Sequence, residues 1–342
     1  MMRLPLFDFR APRTLEEATR ILHGEGAEAM PLAGGTDLLP NMKRRQQVPK
    51  TLVSLRAIEG LRGFTFGRTT ARLGACLKVA EIASDGRFRE VWTALAQAAS
   101  QIATPQIRNM ATLGGNLCLD TRCNYYNQNY EWRKSIGFCL KKSGTTCWVA
   151  PASAKCMAVS STDTAPALLA LGARVRLVSV TGERELPLSA LYQNDGINYL
   201  KRRPDELLAE VLLDSSCGWK SSYWKLRRRG AFDFPVLSVA AAARLGKEGV
   251  VEEARIVLGS VASAPLVAEE AGQFLLGRRL DRESVAEAGS LTARLAKPLD
   301  NTDFDMTWRK RVTAEFVTHA LRELRGEDLR EELLLLCCRP AP

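Results

Sequence analysis

The chain has 342 residues, 46% of them hydrophobic and 25% charged, and its 48 Lys and Arg outnumber 38 Asp and Glu for a net charge of +10. This is the ordinary composition of a globular protein of two or three domains. No apolar run nears the roughly 20 residues of a membrane span, and the N-terminal MMRLPLFDFRAP lacks the apolar stretch of a secretory signal, so a cytoplasmic location is expected.

In chain order, residues 12–27 predict a helix. Pro12 and Thr14 mark its start, and Glu16 and Glu17 occupy the first turn, where the helix dipole favours them. Leu15, Ala18, Ile21 and Leu22 form its apolar face, and Gly24 and Gly26 end it. A short apolar piece, 29–32, runs into a glycine loop, Ala33-Gly34-Gly35-Thr36-Asp37. A strand over 51–55 completes a βαβ-like opening. Strand-like runs follow at 63–66 and 71–75, then a short helix at 78–83 and an alanine-rich helix at 91–100. Thr104-Pro105-Gln106 breaks the pattern ahead of a second glycine loop, Thr112-Leu113-Gly114-Gly115-Asn116.

From 120 to 161 periodicity vanishes. About 40 such residues are unusual inside a compact domain, so the segment is either disordered or held by something other than an apolar core. Pattern returns with a helix at 165–172, a strand at 175–180, a turn at Thr181-Gly182 and a strand at 206–213. A domain boundary is placed near 215–220. Strands at 221–228, 237–245 and 254–259 lead into helices at 267–276, 281–295 and 305–325. No internal repeat is visible.

Nine cysteines, with no export signal, argue against a disulfide framework. Cys76, Cys118 and Cys217 read as plain small residues, and Cys337 and Cys338 fall in a C-terminal tail that also holds the longest candidate apolar run, 333–338. The other four, Cys123, Cys139, Cys147 and Cys156, crowd the aperiodic segment as C-x15-C-x7-C-x8-C. This is neither the closely spaced pair of a structural zinc site nor the bacterial ferredoxin run. Spacing alone leaves a cluster, a metal ion and no metal open. Tyr125, Tyr126, Tyr130, Trp132, Phe138 and Trp148 share the segment, where they would either shield a cluster from water or build a small satellite core. The two histidines, His23 and His319, are far from these cysteines in sequence and read as surface or helix residues.

Consecutive glycines allow several backbone N–H groups to face one anion. The 33–37 loop, with the Thr36 hydroxyl beside it, suits a pyrophosphate, although a tight turn without ligand fits its residues as well. It is neither a Walker loop nor a GxGxxG fingerprint. Two such loops in one domain are suited to a long ligand such as flavin adenine dinucleotide. The basic clusters 43–45, 201–203 and 227–229 come without a zinc-finger, helix-turn-helix or RNA-binding signature, so neither nucleic acid nor membrane is expected as a partner. They read as solvated loops and helix ends, with an acidic redox protein as the alternative.

AGGTDLL, TLGGN, the later Asp163-x-x-Pro166-Ala167-Leu168-Leu169 and Lys225, together with Asp233-Phe234-Pro235, resemble the FAD-binding medium subunits of the xanthine oxidase family of molybdenum hydroxylases. The resemblance covers nearly the whole chain. It implies an α+β protein, with a two-part FAD-binding domain of the vanillyl-alcohol-oxidase/PCMH type over 1–218. A C-terminal domain of the CO dehydrogenase flavoprotein type, an antiparallel sheet with helices on one face, would occupy 219–328, and a tail 329–342. Most such subunits pass almost directly from the GGN loop to the SxxD segment. Here residues 120–161 intervene, and where the family usually has Ser-Asp this chain has Thr162-Asp163. This insertion with four cysteines is similar to that of the 4-hydroxybenzoyl-CoA reductase branch, where it holds a [4Fe–4S] cluster.

The resemblance implies that Ala33, Gly34, Gly35, Thr36 and Asp37 wrap the FAD pyrophosphate, with Leu32 also among the cofactor-binding residues. Ile102 would pack near the isoalloxazine, and Thr112, Gly114, Gly115 and Asn116 would form the second flavin loop. Asp163 would bind a polar part of the cofactor, Lys225 would line its pocket, and Cys123, Cys139, Cys147 and Cys156 would ligate the cluster. It further implies an electron-relay subunit without substrate-transforming residues of its own. Its partners would be a molybdopterin large subunit and a small subunit with two [2Fe–2S] clusters, in a dimer of heterotrimers with ferredoxin as electron donor. Two other readings fit the same residues: the FAD subunit of an oxidising xanthine- or aldehyde-type enzyme, and a non-catalytic metal-binding scaffold.

Overall fold

Thr14 caps the first helix by accepting from the Glu17 N–H, and the helix, Leu15–Glu25, buries Ala18, Thr19 and Leu22. It packs on a small parallel sheet of β1 (Asp8–Arg10), β2 (Ala29–Leu32) and β3 (Thr51–Ser54), in the order β1-β3-β2. The first glycine loop leaves the carboxyl end of β2 and enters the short helix Leu38–Lys43. This computed structural model describes residues 3–215 and 218–329. Cys217, Cys337, Cys338, the run 333–338 and nearly all of the expected tail lie outside the described residues.

A second sheet is antiparallel: β4 (Phe64–Phe66), β5 (Thr70–Gly74), β6 (Arg174–Ser179), β7 (Gly182–Pro187) and β8 (Leu207–Asp214), ordered β4-β5-β8-β6-β7. The long segment between β5 and β6 contains the Thr93–Ser100 helix, the second glycine loop and the cysteine-bearing insertion. The expected helix at 91–100 is broken at Trp92, whose backbone leaves the helical region and separates Gly86–Val91 from Thr93–Ser100. Trp92 is buried between these pieces, with its ring stacked on Phe66 at 5.1 Å.

The third sheet, β9 (Trp219–Leu226), β10 (Leu237–Leu245), β11 (Val251–Gly259) and β12 (Leu266–Val267), is antiparallel and ordered β12-β11-β10-β9. Apolar β10 is explained by burial on both faces. Val239, Ala241 and Ala243 face one core with Phe316, Val317 and Ala320 of the Met306–Leu324 helix, while Ala240 and Ala242 join another with Leu95 and Ala167. The C-terminal helices thus cover one face of this sheet, and helices Thr93–Ser100 and Thr164–Ala170 of the N-terminal domain cover the other. Glu323 reinforces this junction by accepting from Gln97 Nε2 at 2.7 Å, Trp224 Nε1 at 2.9 Å and the Ser222 hydroxyl.

The insertion is ordered with little regular structure. Its one helix is Tyr130–Ser135, and Cys123, Tyr126, Cys139, Cys156 and Ala158 form a small core of their own. Its two ends are closed by a pair of backbone bonds between Arg122 and Val159, 2.8 and 2.7 Å. Asn301 binds both sides, accepting from the Asn124 N–H at 2.9 Å and donating to the Met157 carbonyl at 2.5 Å. The aromatic side chains divide. Tyr126 is buried, whereas Tyr130, Trp132 and Trp148 are each more than a third exposed and give only partial cover.

Candidate cofactor site

The two glycine loops meet and form one wall of a cleft of about 450 Å³. Gly34 is required by that meeting: a Cβ there would stand 2.1 Å from the Met110 carbonyl oxygen. Gly35 has φ 72°, a conformation that favours glycine. Among the described residues, no protein acceptor takes the N–H groups of Gly34, Gly35, Thr36 or Asp37. These donors lead directly into a helix N-terminus, an arrangement suited to a phosphate.

The second loop works differently. Thr112 caps a five-residue helix, Leu113–Leu117, and its hydroxyl accepts from the Gly115 N–H at 3.1 Å. The Gly114 N–H is spent on the Ala75 carbonyl at 2.8 Å, and a Cβ on Gly114 would strike Ala75 at 2.7 Å. This loop supplies close packing and a wall, with its glycine N–H groups already used. Asn116 lines the cleft, and its Oδ1 accepts from the Thr162 and Thr164 hydroxyls at 2.8 and 2.6 Å and the Thr164 N–H at 3.0 Å.

Leu32, Ala33, Gly34, Gly35, Thr36, Asp37, Ile102, Gly114, Gly115, Asn116 and Asp163 all line this one cleft. Thr112 and Lys225 stand behind it. Lys225 has a fully buried side chain, and its Nζ donates to Asp163 Oδ1 at 2.9 Å and to the carbonyls of Gln101 and Asp233 at 3.1 and 3.0 Å. Its place is therefore one layer from the cleft, where it holds Asp163. The Tyr223 hydroxyl donates to the same carboxylate oxygen at 2.7 Å. Burial raises the Asp163 pKa, against the lowering pull of Lys225 and Tyr223.

Sequence reasoning missed Arg122. It lines the cleft almost fully buried, pairs with Asp37, donates to Asn41 Oδ1 at 3.1 Å and lies 4.8 Å from the Phe234 ring centroid. Desolvation pushes its pKa down to about 10. Its signal was chemical: a carboxylate inside an anion-binding loop calls for a neutralising cation. Nothing in the spacing said which of the chain's 48 Lys and Arg would supply it. Arg44, Arg202 and Arg229 also line the cleft.

Cys123, Cys139, Cys147 and Cys156 converge on a second, small cavity, all of them buried and without disulfides. Gly196 packs against Cys156, where a Cβ would lie 2.7 Å from the Sγ. Desolvation pushes the Cys123 and Cys156 thiols up to about 12 and about 11. Cys156 Sγ accepts from the Ala158 N–H at 3.4 Å. No three His, Cys, Asp or Glu side chains among the described residues are grouped to hold one metal ion. A tetrahedral ion bound at about 2.3 Å draws its sulfurs to roughly 3.8 Å of one another. A cubane gives each thiolate a separate iron and spreads them wider. Four thiols around one cavity, with no carboxylate or imidazole among them, fit that donor set. The insertion serves both cavities: Asp120 and Arg122 line the cleft, and Cys123 lines its neighbour.

Residues 5–213 match the family model described as the FAD binding domain in molybdopterin dehydrogenase. The chain belongs to this family. Residues 221–324 match the CO dehydrogenase flavoprotein C-terminal domain. The nicotinate dehydrogenase FAD-subunit of Eubacterium barkeri is 29% identical over 82% of this chain and 82% of its own length. The carbon monoxide dehydrogenase medium chain of Hydrogenophaga pseudoflava is 26% identical over 93% and 96%. A solved structure of carbon monoxide dehydrogenase from that organism superposes with a TM-score of 0.78 at 25% identity, covering 95% of this chain and 99% of that one. The protein is an FAD-binding medium subunit of the molybdenum hydroxylase family, with the two-domain fold of the CO dehydrogenase medium chain. The free N–H groups of the first loop and the charge-neutralised Asp37 fit an FAD pyrophosphate. Membership in a flavoprotein family removes the scaffold reading. Among the described residues no helix is long and apolar enough to cross a membrane.

Proposed function

We propose that this chain is the electron-transfer subunit of a 4-hydroxybenzoyl-CoA reductase-type enzyme, holding FAD in the large cleft and a [4Fe–4S] cluster on Cys123, Cys139, Cys147 and Cys156. The observation that carries the reading is the convergence of four buried thiols on one cavity beside the flavin cleft. When bound, the two cofactors supply one- and two-electron transfer, linking reduced ferredoxin to the [2Fe–2S] clusters and molybdenum of partner subunits, where 4-hydroxybenzoyl-CoA loses its hydroxyl to give benzoyl-CoA.

The protein's own residues do the positioning. The 34–37 N–H groups and Arg122 would hold the pyrophosphate, with Asp37 fixing the arginine in place. Asn116 and Asp163, each tied from behind, would give the cleft fixed polar contacts. Ile102, with 6% exposure, provides an apolar wall. The chain's positive charge would favour an acidic electron donor. The proposed setting is a cytoplasmic dimer of heterotrimers serving anaerobic degradation of aromatic compounds.

The test is a purified complex given chemically reduced ferredoxin and 4-hydroxybenzoyl-CoA. Benzoyl-CoA should form, and Cys139→Ser should abolish ferredoxin-driven turnover while the FAD content is retained. A complex that instead oxidises an aldehyde or purine, with Cys139→Ser harmless, would establish the second reading. That reading is favoured by the dehydrogenase names of the relatives.

A further inference from the structure

Asp120 and Lys141 form an ion pair, Nζ to Oδ1 2.8 Å, with each side chain 5% exposed. Its two ends face different cavities. Asp120 lines the large cleft, whereas Lys141 lines the cysteine cavity. Both ends are fixed. Lys141 Nζ also donates to Thr121 Oγ1 at 2.6 Å and the Gly196 carbonyl at 2.5 Å, so all three of its protons are used. Gly196 is the residue packed against Cys156 Sγ, which puts the ammonium on the cysteine side. The second oxygen of Asp120 accepts from the Tyr126 hydroxyl at 3.2 Å and Gln47 Nε2 at 3.4 Å. The rings of Tyr126 and Tyr199 flank the ammonium at 4.8 and 5.3 Å, and Tyr199 also lines the cleft.

A buried pair of this kind is a weak source of stability, since apolar residues of the same volume usually serve as well. Its orientation is what distinguishes it. We infer that the Asp120–Lys141 pair is an oriented dipole across the partition, its positive end raising the reduction potential of the cysteine-bound cluster and its negative end lowering that of the flavin. The inference rests on the cluster reading proposed above. Reduction adds negative charge to either centre. A fixed cation favours that change and a fixed anion opposes it, most strongly where water is excluded. An electron passing between the two centres is lost by one and gained by the other, so the dipole shifts the potential difference between them without carrying the electron. Lys141 and Asp120 are positioning residues in this sense.

The experiment is a redox titration of the loaded complex that follows the flavin absorbance and the paramagnetic iron–sulfur signal together, with FAD, iron and sulfide counted beforehand. The charge-free double variant Asp120→Asn/Lys141→Gln should load as the unchanged chain does. Its cluster midpoint should shift down and its flavin midpoint up. Lys141→Arg, which keeps the charge, should leave both midpoints near their original values. A loaded double variant with both midpoints unmoved would overturn the inference. Loss of iron or flavin from that variant would overturn it too, by showing that the pair only holds the walls together. An unchanged chain that carries flavin and no iron would instead fail the cluster reading itself.

Discussion

Replacing Arg122 by Met tests how the cleft tolerates an acidic residue in its anion-binding loop. Arg122 is 5% exposed and pairs with Asp37, whose neighbours in the loop present free N–H groups. Without the guanidinium, Asp37 would face the bound pyrophosphate uncompensated. At a separation of about 5 Å and an effective dielectric of about 20, that repulsion is about 3 kcal/mol, or roughly two decades in the Kd for FAD. The assay is FAD titration of the stripped protein, followed by quenching of flavin fluorescence. Asp37→Asn on the same background removes the repulsion and should restore at least about one decade, a coupling that a double-mutant cycle isolates. An Arg122→Met protein with undiminished affinity, or a double variant binding no better than the single, would refute the electrostatic argument.

Gly34→Ala should destabilise the chain by about 1–3 kcal/mol through overpacking and should lose FAD, because its Cβ would meet the Met110 carbonyl at 2.1 Å; urea unfolding and flavin content check this. Glu323→Leu leaves the donors of Gln97, Trp224 and Ser222 without their acceptor at the domain junction. It should cost about 3 kcal/mol, read as a lower urea midpoint. Cluster assembly should be favoured as pH rises, since the Cys123 and Cys156 thiols, pushed up to about 12 and about 11, must lose protons to bind iron; equal iron uptake at pH 6.5 and 8.5 would contradict this. Burial works against the charged form of Glu206, but the Arg184 fork and the Arg203 N–H outweigh it and hold its pKa below the ordinary 4.5. Its stabilising contribution is therefore present above that value and lost as pH falls through the lowered one, and Glu206→Gln should flatten the acid limb of the stability profile.

Residues whose pattern reflects burial were the legible ones. The Leu15–Glu25 helix, the alanine-rich β10 and the C-terminal helices lie where their apolar spacing put them. β7 escaped notice because Gly182–Pro187 is almost wholly exposed, and its strand conformation comes from pairing with β6 rather than from burial. β12 did so because two residues carry no period. The expected helix at 267–276 starts only at Glu269, since Leu266 and Val267 pair with β11. At the site, glycine-rich motifs located the cleft, but the distinction between a loop with free N–H groups and one whose N–H groups are spent emerged only in three dimensions. Lys225 illustrates the same limit. The resemblance had it lining the cofactor pocket, and only the fold showed that it stands behind the Asp163 carboxylate.

The most direct test of the account is a count of FAD, iron and acid-labile sulfide per chain after anaerobic purification, repeated with serine in turn at Cys123, Cys139, Cys147 and Cys156. One flavin with about four irons and four sulfides is expected, with loss of the iron and sulfide, and flavin kept, in the serine variants. Flavin without sulfide in the unchanged chain, or sulfide indifferent to all four replacements, would contradict it.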